Sequence, residues 1–176
     1  ILLSGALFAC SVAPIRPFIA NAAQEWGTLA SAFLWTSSLA AIAVRVFFAD
    51  LVDRLGAKLL FPSFGALMVG IIVATWGAST AAFLVGGTLN GIGMGITYPL
   101  LYTLLTKQTH ASRVTVTFTL YTAAMDIVWL GAPFLVTTLA GFWSFGWILR
   151  GIGLVAGLLV VLFQLLFWSK LAHRWK

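Results

Sequence analysis

Six apolar stretches, at roughly 1–23, 28–48, 58–77, 81–105, 115–139 and 146–169, follow one another along this chain with only short polar interruptions. A hydrocarbon core about 30 Å thick is crossed by about 20 helical residues rising 1.5 Å each, so every stretch is long enough to span it. Lipid leaves no water for the backbone, which restricts spanning structures to helices and closed barrels. The strict alternation of a barrel strand is absent. The expected fold is therefore an all-α membrane protein, a single six-transmembrane-helix bundle over residues 1–176. With charged residues at 8% and hydrophobic residues at 61%, too little polar surface exists to coat a water-soluble globule of this length. No cleavable targeting segment is visible. The chain starts inside an apolar run with no initiator Met, so the reading expects a fragment.

Basic residues fall on alternate connections. Arg54 and Lys58 lie between the second and third stretches, Lys107 and Arg113 between the fourth and fifth, and Lys170, Arg174 and Lys176 after the sixth. The intervening connections NAAQEWG, GAST and AGFWSFGW carry no Lys or Arg, and Trp76, Trp143 and Trp147 form an aromatic belt there. Lys and Arg are retained on the cytoplasmic side, which predicts that both ends face the cytoplasm from an inner or plasma membrane. Topology and anionic membrane lipid account for the net charge of +6, with no need for nucleic acid. The one cysteine, Cys10, cannot form an internal disulfide and is expected to be inert packing.

The stretch ADLVDRLGAK, residues 49–58, concentrates charge between the second and third spans: Asp50, Asp53, Arg54 and Lys58. A Gly where the chain reverses, an acid able to cap a helix and basic groups at the inner surface suit a tight, charge-locked hinge. The stretch resembles the signature loop of the major facilitator superfamily of secondary transporters, Gly-x-Leu-Ala-Asp-Arg-x-Gly-Arg-Lys. The matching residues are Ala49, Leu51, Val52, Asp53, Arg54, Gly56, Ala57 and Lys58, with Ala49 in place of the first Gly and Ala57 in place of a basic residue. The resemblance implies a gating loop of Asp50, Asp53, Arg54, Gly56 and Lys58, with Arg45 of the second span paired to Asp50 or Asp53.

In the fourth span Gly87, Gly91 and Gly95 recur every four residues, a smooth stripe against which another helix packs closely. GIGMG in the same span is no nucleotide loop, because no strand precedes it. The run GIGMGITYP resembles the tenth helix of the superfamily, which implies helices seven to twelve, a C-terminal half whose partner is an N-terminal six-helix half. Such halves rock about a midplane site in alternating access, usually coupled to protons. The first and fourth helices of each half line the cavity, which by that implication makes Arg16, Asn90, Met94, Thr97 and Tyr98 candidates to face a small-molecule substrate. Packing between helices is the alternative role for the neutral residues among them.

Charge inside a span is costly, about 2.5–3.5 kcal/mol at a helix centre. Asp126 lies about 11 residues into the fifth span, about 17 Å deep. Thr115, Thr119, Thr122, Asp126, Trp129 and Pro133 share one face of it. The acid is either a site for a coupling proton or cation, or a structural clasp bonded to Thr122 or a neighbouring helix. Arg16, between Pro14 and Pro17, is its natural counter-ion candidate, and its alternatives are substrate contact and interfacial anchoring. Arg150 and Gln164 read as snorkelling and helix packing. The third span has no polar side chain from Phe64 to Ala74, which predicts a peripheral helix facing lipid.

Four acids and two His, with His110 in a loop and His173 in the tail, provide no metal-ligand spacing, and no nucleophile motif is present. The reading expects no enzyme, no cofactor and no metal. The rival is a six-helix structural or assembly protein that dimerises through the Gly87, Gly91 and Gly95 stripe.

Overall fold

The computed structural model describes the backbone of residues 2–172 and the side chains of 5–50, 54–107, 109–110 and 112–163. Eight α-helices cover these residues: α1 Leu2–Val12, α2 Ile15–Glu25, α3 Ala30–Phe47, α4 Ala49–Leu55, α5 Leu60–Gly77, α6 Thr80–Gln108, α7 Val114–Leu139 and α8 Phe145–Ala172. The side chains of Leu51, Val52, Asp53, Gln164, Lys170, Arg174 and Lys176, named above, and that of His173, lie outside the described residues.

The first apolar stretch is two helices in series, because Pro14 starts a second helix instead of continuing the first. Among the described residues, five spans are long and apolar enough to cross a membrane: Gly5–Glu25, Ala30–Phe47, Gly56–Gly77, Val114–Leu139 and Phe145–Phe163. The sixth expected span, α6, is long enough at 29 residues, but its Gly, Thr and Asn content dilutes its apolarity. That composition has a packing cause. α6 is clamped between α3 and α5, and small residues on two of its faces let both neighbours approach. A Cβ on Gly87 would meet Thr36 and the Phe33 carbonyl, and one on Gly91 would meet the Ser37 carbonyl, both on α3. Gly95 continues that contact, where an added Cβ would lie 3.0 Å from the Ala41 carbonyl. On the opposite face, Gly93 leaves room for the backbone of α5, since its Cβ would lie 2.5 Å from the Ser63 carbonyl and the Leu67 nitrogen.

Two expectations are corrected here. The Gly87, Gly91 and Gly95 stripe is occupied by α3 of the same chain, so it is not free to make a dimer. The third span is not the lipid-facing one. Half of its most apolar stretch is buried, against 22% for α3 and 11% for α7. Lipid tails are as apolar as leucine, so an unbroken apolar run fits a protein neighbour and a lipid neighbour equally well. The core gathers around Phe8, Phe33, Leu67, Phe83, Leu101 and Tyr121, drawn from α1, α3, α5, α6 and α7. A two-residue turn joins α5 to α6, with the Ser79 hydroxyl accepting from the Ala82 N–H at 3.2 Å.

Candidate functional site

Pro14 and Pro17 remove two backbone donors around the break between α1 and α2, and Arg16 falls in the first turn of α2. Its guanidinium is half-buried. Nη2 donates to the Ser37 hydroxyl on α3 at 3.4 Å, and that hydroxyl donates to Asn90 Oδ1 on α6 at 3.1 Å. Ser37 and Asn90 are buried, while Arg16 Nε is shielded from solvent and has no hydrogen-bond partner. Arg45, exposed on α3, is near enough to act electrostatically on Arg16. Three helices thus converge on a short polar chain that ends in a cation.

From Asn90 a slowly winding stripe runs along α6 through Met94, Tyr98 and Tyr102, about 18 Å at 1.5 Å per residue. Met94 packs partly buried against the core. The hydroxyls of Tyr98 and Tyr102 are hydrogen-bonded at 3.2 Å, and Phe8 of α1 lies 5.9 Å from the Tyr98 ring. Tyr102 meets Tyr121 of α7 edge to face at 5.5 Å. The Tyr121 hydroxyl is buried without a partner, and its ring fills the space over Gly5 of α1. Thr97 turns away from this stripe: it donates to the Ser63 hydroxyl of α5 at 2.9 Å, with both residues buried, and ties α5 to α6.

Asp126 is exposed on α7 and, among the described residues, makes no hydrogen bond or ion pair. Its carboxylate acts electrostatically on Tyr102, at the far end of the α6 stripe from Arg16. The expected pairing of Arg16 with Asp126 is therefore not formed, because the two face opposite ends of that stripe. The expected clasp to Thr122 is not formed either. That hydroxyl is already donated to the Phe118 and Thr119 carbonyls of its own helix, both at 3.0 Å.

Residues 1–176 match the family model described as Major Facilitator Superfamily. The chain belongs to the major facilitator superfamily. No curated protein matches it. It is accordingly a multi-pass membrane transporter protein, and the features of this superfamily member can be placed on its helices. The loop 49–58 forms a short helix, α4, and then turns at Gly56, whose φ of +51° favours a residue without Cβ. Asp50 occupies the first turn of α4, an acid at a helix N-terminus, while α5 begins at Leu60 with no side-chain cap. Arg45, Asp50, Arg54 and Lys58 are exposed, and Arg45 does not pair with Asp50. The chain breaks at Phe48 between the two residues and puts them on separate helices.

At the other end of the bundle the superfamily member carries a junction that local sequence patterns did not reveal. Glu25, the chain's one Glu, ends α2 and receives the Phe145 and Gly146 N–H groups at 2.9 and 2.8 Å, capping α8 from 120 residues away. Arg150 donates from Nε to the Thr75 carbonyl at 2.9 Å. Its guanidinium also lies 5.3, 5.7 and 5.0 Å from the rings of Trp26, Trp76 and Trp147. The sequence signal was the Trp density around the interfacial ends. Ser37 was missed too, although it repeats with Phe33, Ala41 and Val44 on the buried face of α3. Cys10, expected to be packed, is exposed and borders an apolar cleft of about 590 Å³ between α1, α7 and α8, with Val128, Leu135, Trp147 and Ile152.

Proposed function

We propose that this superfamily member moves a small molecule across the membrane by alternating access, with a proton as the coupling ion and Asp126 as its binding group. The observation that carries the reading is the Arg16–Ser37–Asn90 chain, a cation held inside the spans by three helices and connected by the α6 stripe to the exposed acid. An intramembrane charge is retained against its cost where it serves a pathway. In this reading Arg16, Asn90, Met94 and Tyr98 border the substrate path, and Thr97 holds the helix that carries them.

The least buried spans, α3 and α7, present the faces against which a second six-helix half packs. Arg54, Lys58, Lys107 and Arg113 lie on the cytoplasmic side by the distribution of basic residues, which puts the Glu25–Arg150 junction on the outside. Loop 49–58 then acts at the cytoplasmic gate.

The test is uptake by the full-length protein in liposomes, with and without an imposed pH gradient. Asp126→Asn mimics the protonated acid, so it should abolish gradient-driven accumulation and preserve counterflow exchange. Full gradient-driven accumulation by that variant removes Asp126 from coupling.

A further inference from the structure

The surroundings of Arg16 specify more than a pathway. We propose that the polar site between α2, α3 and α6 receives a small organic anion, a carboxylate or phosphate ester whose oxygens take up the open donors of Arg16. This rests on the transport reading and adds the class of substrate to it.

Three observations converge on an anion. Among the described residues, the buried Arg16 Nε has no acceptor, and the one acceptor of the guanidinium is a neutral hydroxyl at the long distance of 3.4 Å. A planar guanidinium offers five donors in a fork that matches an oxyanion, and a buried charge is satisfied only by pairing. Among the described side chains, the charge that acts on it is also positive. Arg45 adds a second positive field, while the acids with described side chains are engaged or placed elsewhere: Glu25 on the α8 N-terminus, Asp50 on α4 and Asp126 beside Tyr102. Third, the Asn90 Oδ1 is occupied by Ser37, whereas its amide N–H donors have no acceptor among the described residues. Arg16 and Asn90, bridged by the Ser37 hydroxyl, therefore keep open donors with no anion among the described side chains to take them up.

The experiment measures thermal stability of the purified full-length protein in detergent at fixed ionic strength. Sodium acetate, succinate, citrate, phosphate and glycerol 3-phosphate are titrated, with glucose, glycerol and tetramethylammonium chloride as neutral and cationic probes. At least one of the anions should raise the melting temperature with a saturable concentration dependence. Arg16→Gln should weaken its apparent affinity at least about tenfold, a change of about 1.4 kcal/mol, and Arg16→Lys should retain part of the effect. Should Arg16→Gln fail to fold, Ser37→Ala removes an orienting hydroxyl without changing charge and should weaken the same anion severalfold. Saturable stabilisation by none of the anions, or an anion effect that survives unchanged in these variants, overturns the proposal. Failure of the transport reading is distinguishable: Arg16-dependent anion binding without any gradient-driven uptake leaves this site standing, whereas uptake of a neutral or cationic compound keeps transport and removes the anion.

Discussion

Replacing Gly91 by Ala tests the packing that holds the polar site together. A Cβ at Gly91 runs into the Ser37 carbonyl and stands 2.8 Å from the Ala40 Cβ. Carbon atoms rest about 3.5–4.0 Å apart, so α3 and α6 must separate by roughly 1 Å at this level. Backbone on both sides leaves no flexible side-chain tip to yield. The Ser37–Asn90 hydrogen bond sits one residue away at 3.1 Å, and the same displacement stretches it to about 4 Å, beyond bonding range. Overpacking of this kind costs about 1–3 kcal/mol, and loss of one interhelical hydrogen bond adds about 0.6 kcal/mol. For a chain of this size the sum corresponds to a melting temperature lower by on the order of 5–10 °C. Gly65→Ala on α5 is the control, because an added Cβ there meets nothing within 4 Å and improves helix propensity by up to about 1 kcal/mol. Melting curves of both variants in detergent give the ranking Gly65→Ala, wild type, Gly91→Ala. Gly91→Ala melting at or above wild type would refute the close α3–α6 contact.

Glu25→Gln removes the charge that caps α8 and should destabilise the protein by about 1 kcal/mol, read as a lower melting temperature and faster proteolysis in the 140–144 turn; unchanged values contradict the capping role. Asp53→Asn in the full-length protein should slow transport while leaving membrane insertion intact, and unchanged transport kinetics remove the gate role assigned to loop 49–58. A cysteine placed at Phe142 should react with an impermeant thiol reagent from outside the cell and one at Ser112 should not. The opposite pattern reverses the orientation proposed from the basic residues.

The helices were legible because each must satisfy its own backbone in lipid, which leaves long apolar runs in the sequence. The Gly87, Gly91 and Gly95 stripe was legible as a close-packing face, yet its partner was not, since small residues record proximity without recording what approaches. A dimer partner and a helix of the same chain leave the same glycine pattern. The lipid-facing expectation for the apolar α5 fails for the related reason that hydropathy does not separate lipid from protein. At the candidate site, Arg16 and Asp126 stood out because charge is rare within spans, but their relation did not. Ser37 is separated from Asn90 by 53 residues and from Arg16 by 21, and no local periodicity encodes such a link. The Glu25 cap on α8 spans 120 residues and was equally invisible.

Alternating access is the central claim, and Tyr98 is the position from which to measure it, being 37% exposed at the middle of the α6 stripe. The measurement is the rate at which a cysteine at Tyr98, in an otherwise cysteine-free full-length protein, reacts with an impermeant maleimide applied from either face of an oriented liposome. It is made with and without a pH gradient. The account predicts labelling from both faces, with the ratio of the two rates shifted by the gradient and that shift lost when Asp126→Asn is added. Labelling from one face alone, at a rate indifferent to the gradient, would contradict it.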